Sequence, residues 1–130
     1  MLTDTERSHI ERILLRERER VTDSMTQMEG EAQTALTESG ELTLYDQHPA
    51  DIGTETYEQE QNMMLAEQMS RRQEEIDEAL RRLRNEPESF GTCERCGKPI
   101  GTERLEVIPE GRFCAECQGS IERETAGAGV

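Results

Sequence analysis

The chain has 130 residues, of which 32% are hydrophobic and 3% aromatic, with no tryptophan. Globular domains are about 45–50% apolar, so this composition excludes a single large core. The 29 acidic residues outnumber the 15 basic ones, and the net charge of −14 argues against binding DNA or RNA phosphates through a basic surface.

No stretch approaches the roughly 18 apolar residues that span a bilayer, and the first residues lack the apolar segment of a signal peptide. We therefore expect a cytoplasmic protein that does not enter a membrane. Such a composition is also typical of disorder, but the helical periodicity described next argues against it. In the cytoplasm, the 4 cysteines favour metal binding over disulfides.

Residues 3 to about 36 are predicted to form one long helix, because they include no proline and a single glycine, Gly30. Apolar residues recur at alternating intervals of four and three, the spacing of a coiled-coil seam. The seam consists of Leu14, Val21, Met25, Met28, Ala32 and Ala35, of which the last five have this spacing. Ile10 and Ile13 extend it loosely toward the N-terminus. Glu11 and Arg18 interrupt the heptad pattern in the early part.

Residues 37–53 break the pattern, since Gly40, Pro49 and Gly53 all fall there. A second helix is predicted over residues 54–86, ended by Pro87, with Pro49 or Thr54 near its start. Its heptad-like residues are Leu65, Met69, Ile76, Ala79 and Leu83, with Tyr57, Met64 and Leu80 beside them and Arg72 in a seam position.

Two helices of this length, each roughly 50 Å long, most simply form an antiparallel coiled-coil hairpin over residues 1–88, with its tip at 37–53. The predicted fold class is mostly α, with this hairpin followed by a small C-terminal module. A homodimer that uses the same seams is the alternative, and we expect a monomer.

Two C-x2-C pairs follow the hairpin, at Cys93/Cys96 and Cys114/Cys117. Four thiolates at this spacing fit tetrahedral zinc in a zinc-ribbon-like module over residues 89–124 that includes a short helix. A closed four-thiolate site leaves no position for substrate, so we expect one structural zinc ion, with Phe90 and Phe113 packed over it. Redox sensing through the thiolates is an alternative. Residues 125–130 are predicted to be a flexible tail.

Positive charge is unevenly distributed along the chain. Residues 21–70 hold eleven acids and no Lys or Arg, and their midpoint, near residue 45, falls within the predicted tip. The far end of the hairpin is therefore purely acidic, either as a solvated surface or as an end steered into a positive cleft. The tip residues whose ionisable side chains suit binding to a partner are Asp46, His48 and Asp51. Alternatively, Asp46 and Asp51 cap the second helix and His48 is simply exposed.

The zinc segment resembles the DksA/TraR family of bacterial transcription factors. The resemblance rests on Phe90-Gly-Thr-Cys-Glu-Arg-Cys-Gly-Lys-Pro-Ile100, Arg104-Leu-Glu-Val-Ile-Pro109 and Arg112-Phe-Cys-Ala-Glu-Cys117. It covers residues 45–124, and the first helix by architecture only. It implies direct binding to RNA polymerase rather than specific binding to DNA. The acidic tip would enter the secondary channel and change the lifetime of promoter complexes, often together with ppGpp.

The tip departs from the family motif Asp-x-x-Asp-x-Ala, because the matching stretch is His48-Pro-Ala-Asp51-Ile-Gly53. This variant is similar to a subgroup that includes a Bacillus sporulation-associated protein. The positions of basic residues that contact ppGpp in responsive members hold Ile108 and Gln118 here, and the matching part of the second helix reads Gln73-Glu74-Glu75. The resemblance therefore implies weak or absent ppGpp dependence.

The leading hypothesis is a non-enzymatic modulator of bacterial RNA polymerase. A transcript-cleavage-type factor is the first alternative, in which Asp46 and Asp51 would hold Mg²⁺ in the polymerase active site. A zinc-containing coiled-coil adaptor for another partner is the second. Catalysis by the chain alone is not expected, because it has neither a glycine-rich phosphate loop nor a Ser/His/Asp set.

Overall fold

The computed structural model describes residues 2–42 and 49–128, without the side chains of residues 32, 35–42, 49–56 and 128. The elements in chain order are α1 (Asp4–Leu42), α2 (Pro49–Asn85), α3 (Thr102–Val107) and α4 (Ala115–Ala128). Within these residues the only extended pairing is an isolated antiparallel bridge between Thr92 and Pro99. The predicted fold class, a helical hairpin followed by a small four-cysteine module, is confirmed.

The helices are longer at the connection than predicted. α1 continues past Gly40 to Leu42, and α2 begins at Pro49 rather than at residue 54. Proline is favoured in the first turn of a helix, where its missing N–H has no helical partner. The predicted tip, residues 37–53, is therefore largely taken up by helix ends. Residues 43–48 lie outside the described part of the chain.

The contacts divide the chain into two compact units. Unit 1 comprises Met1–Arg18 and Glu75–Val130, and unit 2 comprises Glu19–Glu74. The predicted boundary at residue 88 stays a prediction, because this grouping does not report which segments fold independently. α4 continues to Ala128, into the segment predicted as a flexible tail.

In both units the two long helices pair in antiparallel fashion. In unit 1, Arg84 lies 3.3 Å from Glu11, and Arg18 lies 2.8 Å from Asp77. In unit 2, Gln73 Nε2 donates to Thr22 Oγ1 at 3.3 Å. Within unit 1 the position on α2 falls by seven residues as the position on α1 rises by seven, as antiparallel pairing requires.

Burial of the seam differs between the units. In unit 1 the seam and its neighbours form the core, which includes Ile10, Leu14, Ile76, Ala79, Leu80 and Leu83. In unit 2 Val21 is buried, Met25, Met28 and Met69 are half-buried, and Leu65 is 45% exposed. Leu65 keeps the heptad-like spacing of α2 but is not buried in the seam. Met28, the described seam residue of α1 nearest its level, is itself only half-buried.

None of the described helices combines the length and the apolar character needed to cross a membrane.

Gly30→Ala should stabilise the zinc-loaded protein by up to about 1 kcal/mol, because alanine has the higher helix propensity. A Cβ at Gly30 would meet no atom within 4 Å, so there is no steric cost. Gly127→Ala is the matched control, since its surroundings are equally open but it lies in the last turn of α4 and should change stability less. Urea unfolding followed by circular dichroism measures both, and a lower midpoint for Gly30→Ala would contradict the packing described.

Candidate metal centre

The four cysteines lie together in unit 1. The sulfurs of Cys93, Cys96, Cys114 and Cys117 are all within 4.8 Å of one another. The distance between the Sγ atoms of Cys96 and Cys114 is 3.8 Å. A tetrahedron with Zn–S bonds of about 2.3 Å has edges of about 3.8 Å, so this spacing fits zinc.

Backbone hydrogen bonds shape each cysteine pair into a tight turn. In the first pair, Cys93 N donates to Lys98 O at 2.8 Å, and Gly97 N donates to Cys93 O at 3.0 Å. Gly97 has a φ of 78°, which glycine adopts without strain. In the second pair, Cys117 N donates to Cys114 Sγ at 3.5 Å, at the start of α4. Glu94 N joins the two turns by donating to Arg112 O at 2.9 Å.

The environment of the sulfurs sets opposite pKa shifts at two of them. Burial raises the pKa of the Cys93 thiol, but hydrogen bonds from the backbone of Cys96, Cys114 and Arg95 outweigh burial and lower it to about 6. The hydrogen bond with Cys114, and then burial, raise the pKa of Cys117 to about 12. A divalent cation among the sulfurs reverses the second shift, because a coordinating thiol is deprotonated outright.

The donor set therefore fits one structural zinc ion, as predicted, held by four thiolates. Cys93 is 2% exposed, and the backbone donors that favour its thiolate are already in place. With four protein ligands, the site offers no open position for a substrate or an activated water. Zinc here supplies folding free energy rather than chemistry.

The module packs on the ends of α1 and α2 through a small apolar cluster within unit 1. Phe90, Ile100 and Leu105 are buried, as is Pro109. Phe90 is buried and Phe113 is half-buried, and their packing over the metal stays a prediction. The module contains two helices, α3 and α4, where the sequence predicted one short helix.

Arg82 joins α2 to this module. Its side chain is 12% exposed, and Nη1 lies 3.2 Å from Glu94 Oε1, one residue after Cys93. Nη2 donates to Glu110 O at 3.5 Å, and the guanidinium lies 5.9 Å from the centroid of the Phe90 ring. Burial lowers the pKa of Arg82, but arginine stays charged at any physiological pH. Arg82 thus holds the first cysteine turn against the end of α2.

The first turns of α1 form a second attachment. Thr3 and Glu6 form a capping box, in which Thr3 N donates to Glu6 Oε1 and Glu6 N donates to Thr3 Oγ1, both at 3.1 Å. The other oxygen of Glu6 accepts a hydrogen bond from Thr102, which lowers the pKa of Glu6. His9 lies 3.4 Å from Glu106 of α3.

Sequence reasoning missed Arg82 and the Thr3–Glu6 capping box. The capping box has a recognisable signal, a threonine followed three residues later by glutamate at the start of a predicted helix. Arg82 has no such signal, because one of several arginines near the end of α2 is distinguished only by the fold.

The predicted tip residues cannot be placed in the same way. Asp46 and His48 lie outside the described residues. Asp51 lies in the first turn of α2, but its side chain is outside the described part of the chain. Their grouping as a partner-binding site stays a prediction.

Comparison with known proteins agrees with the metal centre. The family model for the prokaryotic dksA/traR C4-type zinc finger matches residues 88–123. General stress protein 16O of Bacillus subtilis is 31% identical over 101 residues, 78% of this chain and 55% of that protein. The protein named RNA polymerase-binding transcription factor DksA in Salmonella typhimurium is 29% identical over 135 residues, 98% of this chain and 80% of that protein.

YteA of Bacillus subtilis, whose name carries no function, is 39% identical over 77 residues, 59% of this chain and 31% of that protein. The chain thus spans less than two thirds of YteA and of General stress protein 16O.

The structure of transcription factor DksA2 from Pseudomonas aeruginosa shares the fold, with a TM-score of 0.74 and 24% identity over 95% of this chain and 88% of that one. The four-cysteine centre, together with the family match over residues 88–123, identifies this segment as a C4-type zinc finger of the dksA/traR type.

Zinc affinity should fall as the pH is lowered from about 7.5 to about 5.5, because only thiolates bind the metal. Cys93, with a pKa of about 6, is ionised at the upper pH and largely protonated at the lower one. For each proton that zinc displaces, the apparent zinc affinity falls about tenfold when the pH is lowered by one unit. Competition with a chromophoric chelator measures the constant, and Cys96→Ser should give a shallower pH dependence. A pH-independent affinity would contradict the four-thiolate site.

Arg82→Met should destabilise the zinc-loaded protein by about 1–3 kcal/mol, because it removes a charged hydrogen bond and the contact with Phe90. Arg84→Met is the matched control two residues away. Arg84 is 55% exposed and pairs with Glu11 at the surface, so its loss should cost less than about 1 kcal/mol. Thermal unfolding compares the two variants. Equal losses of stability would show that Arg82 does not anchor the module.

Proposed function

We propose that this chain is a bacterial transcription regulator that binds RNA polymerase directly. Its acidic coiled-coil tip would enter the secondary channel and change the lifetime of promoter complexes. The tip residues are Asp46, His48 and Asp51. The protein acts as a non-enzymatic cytoplasmic monomer, without specific contacts to DNA.

The observation that carries this proposal is the segregation of charge about the connection between α1 and α2. Residues 21–70 hold eleven acids and no Lys or Arg. Six of these acids have side chains in the described part of the chain, and all six are exposed: Asp23, Glu29, Glu31, Glu58, Glu60 and Glu67. A concentration of one charge sign at one end of a hairpin suits insertion into a cleft of the opposite sign.

The match of the zinc segment to the dksA/traR family model supports polymerase as the partner. Relatives such as the Salmonella typhimurium protein are named RNA polymerase-binding transcription factors. The metal centre supports a regulator rather than an enzyme, because its four thiolates leave no reactive position. We propose weak or absent ppGpp dependence, since Ile108 and Gln118 provide no charge for a phosphate.

Asp51→Asn should abolish the effect on promoter-complex lifetime, because it removes the tip carboxylate that matches the family motif. Asp23→Asn removes one charge from an exposed position of α1 away from the connection, so it should retain most of the effect. The experiment measures binding of zinc-loaded protein to bacterial core polymerase at two salt concentrations, and promoter-complex lifetime in the same samples.

Binding should weaken with salt, because exposed charges are screened. No binding of the wild-type protein at low salt would refute the proposal and leave the adaptor function in its place. Cleavage of a backtracked transcript that depends on Asp51 would instead identify a transcript-cleavage factor.

A further inference from the structure

Exposed apolar side chains cluster on one stretch of α2. Of the six large apolar side chains that are exposed in the described part of the chain, four fall between residues 57 and 65. They are Tyr57, Met63, Met64 and Leu65, with exposed fractions of 64%, 64%, 57% and 45%. Single exposed apolar residues are normal, but a cluster marks a surface that meets a partner.

Tyr57 and Met64 share one face of the helix, and Leu65 lies at the edge of that face nearest the seam. Met64 follows Tyr57 by seven residues, so the two lie on nearly the same line, about 10 Å apart along the axis. Leu65 lies about 100° around the helix from Met64, and Met63 lies about as far in the other direction. We call Tyr57, Met64 and Leu65 the α2 patch.

The α2 patch lies beside a loosely packed part of the seam. Leu65 continues the heptad-like series of α2, yet it is 45% exposed. The register set by Thr22 and Gln73 places it near the level of Met28 on α1. Met28 is itself only half-buried, so the pairing of the two helices leaves this face accessible.

The rim of the patch is acidic. Glu60 lies within one helical turn of both Tyr57 and Met64, and Glu67 lies one turn beyond Met64. Both glutamates are exposed, as is Glu58, and residues 57–70 include no Lys or Arg. The complementary surface has an apolar floor and a rim of Arg or Lys. A second copy of the patch would bring the same acids, and like charges oppose that pairing.

We propose that the α2 patch docks side-on against a basic, partly apolar groove of bacterial RNA polymerase. This inference rests on the proposed function and adds a contact on the second helix outside the predicted tip. The acids steer the approach, and burial of the patch supplies affinity that salt does not screen. The flexible Met64 side chain suits an irregular apolar floor.

The test compares three zinc-loaded variants for binding to core polymerase at two salt concentrations. Tyr57→Gln/Met64→Gln removes the two most exposed apolar groups of the patch without changing charge. Leu15→Gln/Val107→Gln is the matched control, because it removes two exposed apolar groups from unit 1. A third variant replaces the rim acids by glutamine at Glu58, Glu60 and Glu67. Circular dichroism checks that each retains its helices.

Tyr57→Gln/Met64→Gln should weaken binding about tenfold or more at both salt concentrations, while the control binds like the wild type. The rim variant should lose affinity mainly at low salt. Wild-type affinity in the patch variant would overturn the inference and leave the proposed function intact. Absence of wild-type binding would refute both. A wild-type dimer in sedimentation equilibrium that the patch variant dissociates would assign the patch to a second copy and overturn the proposal.

Discussion

Coordination of one zinc ion by four thiolates is the interaction on which unit 1 depends. The segment that follows α2 has few apolar residues, and its two cysteine turns come from positions far apart in the sequence. Segments of this size rarely bury enough apolar surface to fold without a metal or a disulfide. The zinc ion draws the turns together. This gives Arg82, the capping box of α1 and the buried Phe90 a fixed surface to pack against.

Unit 2 has a different physical character. Its seam is only half-buried at Met25, Met28 and Met69, and Leu65 is 45% exposed. The same residues carry a nearly uninterrupted negative charge. A segment selected only for stability would balance its charges and fill the seam. The unbalanced charge and the loosely packed seam are consistent with a surface that meets a basic partner, and both lower the stability of the unit.

Much of this structure follows from local patterns in the sequence. The two long helices were predictable because heptad spacing and the absence of proline act over many residues, and the cysteine spacing alone defines the zinc ligands. Exposure of Leu65 was not predictable, because heptad spacing does not report how closely two helices pack. Arg82 was not distinguishable from neighbouring arginines, because its contacts are made only in the folded chain. The start of α2 at Pro49 was one of the two predicted alternatives. The glycines and proline of residues 37–53 favoured a connection longer than the one observed.

The central claim is that the acidic end of the hairpin lies in the secondary channel of RNA polymerase. Electron cryomicroscopy of the zinc-loaded protein bound to core polymerase tests it directly. The account predicts density for residues 37–53 inside the channel, with Asp51 directed toward the active site. A complex in which these residues lie outside the channel, or one in which the metal module alone contacts the polymerase, would contradict it.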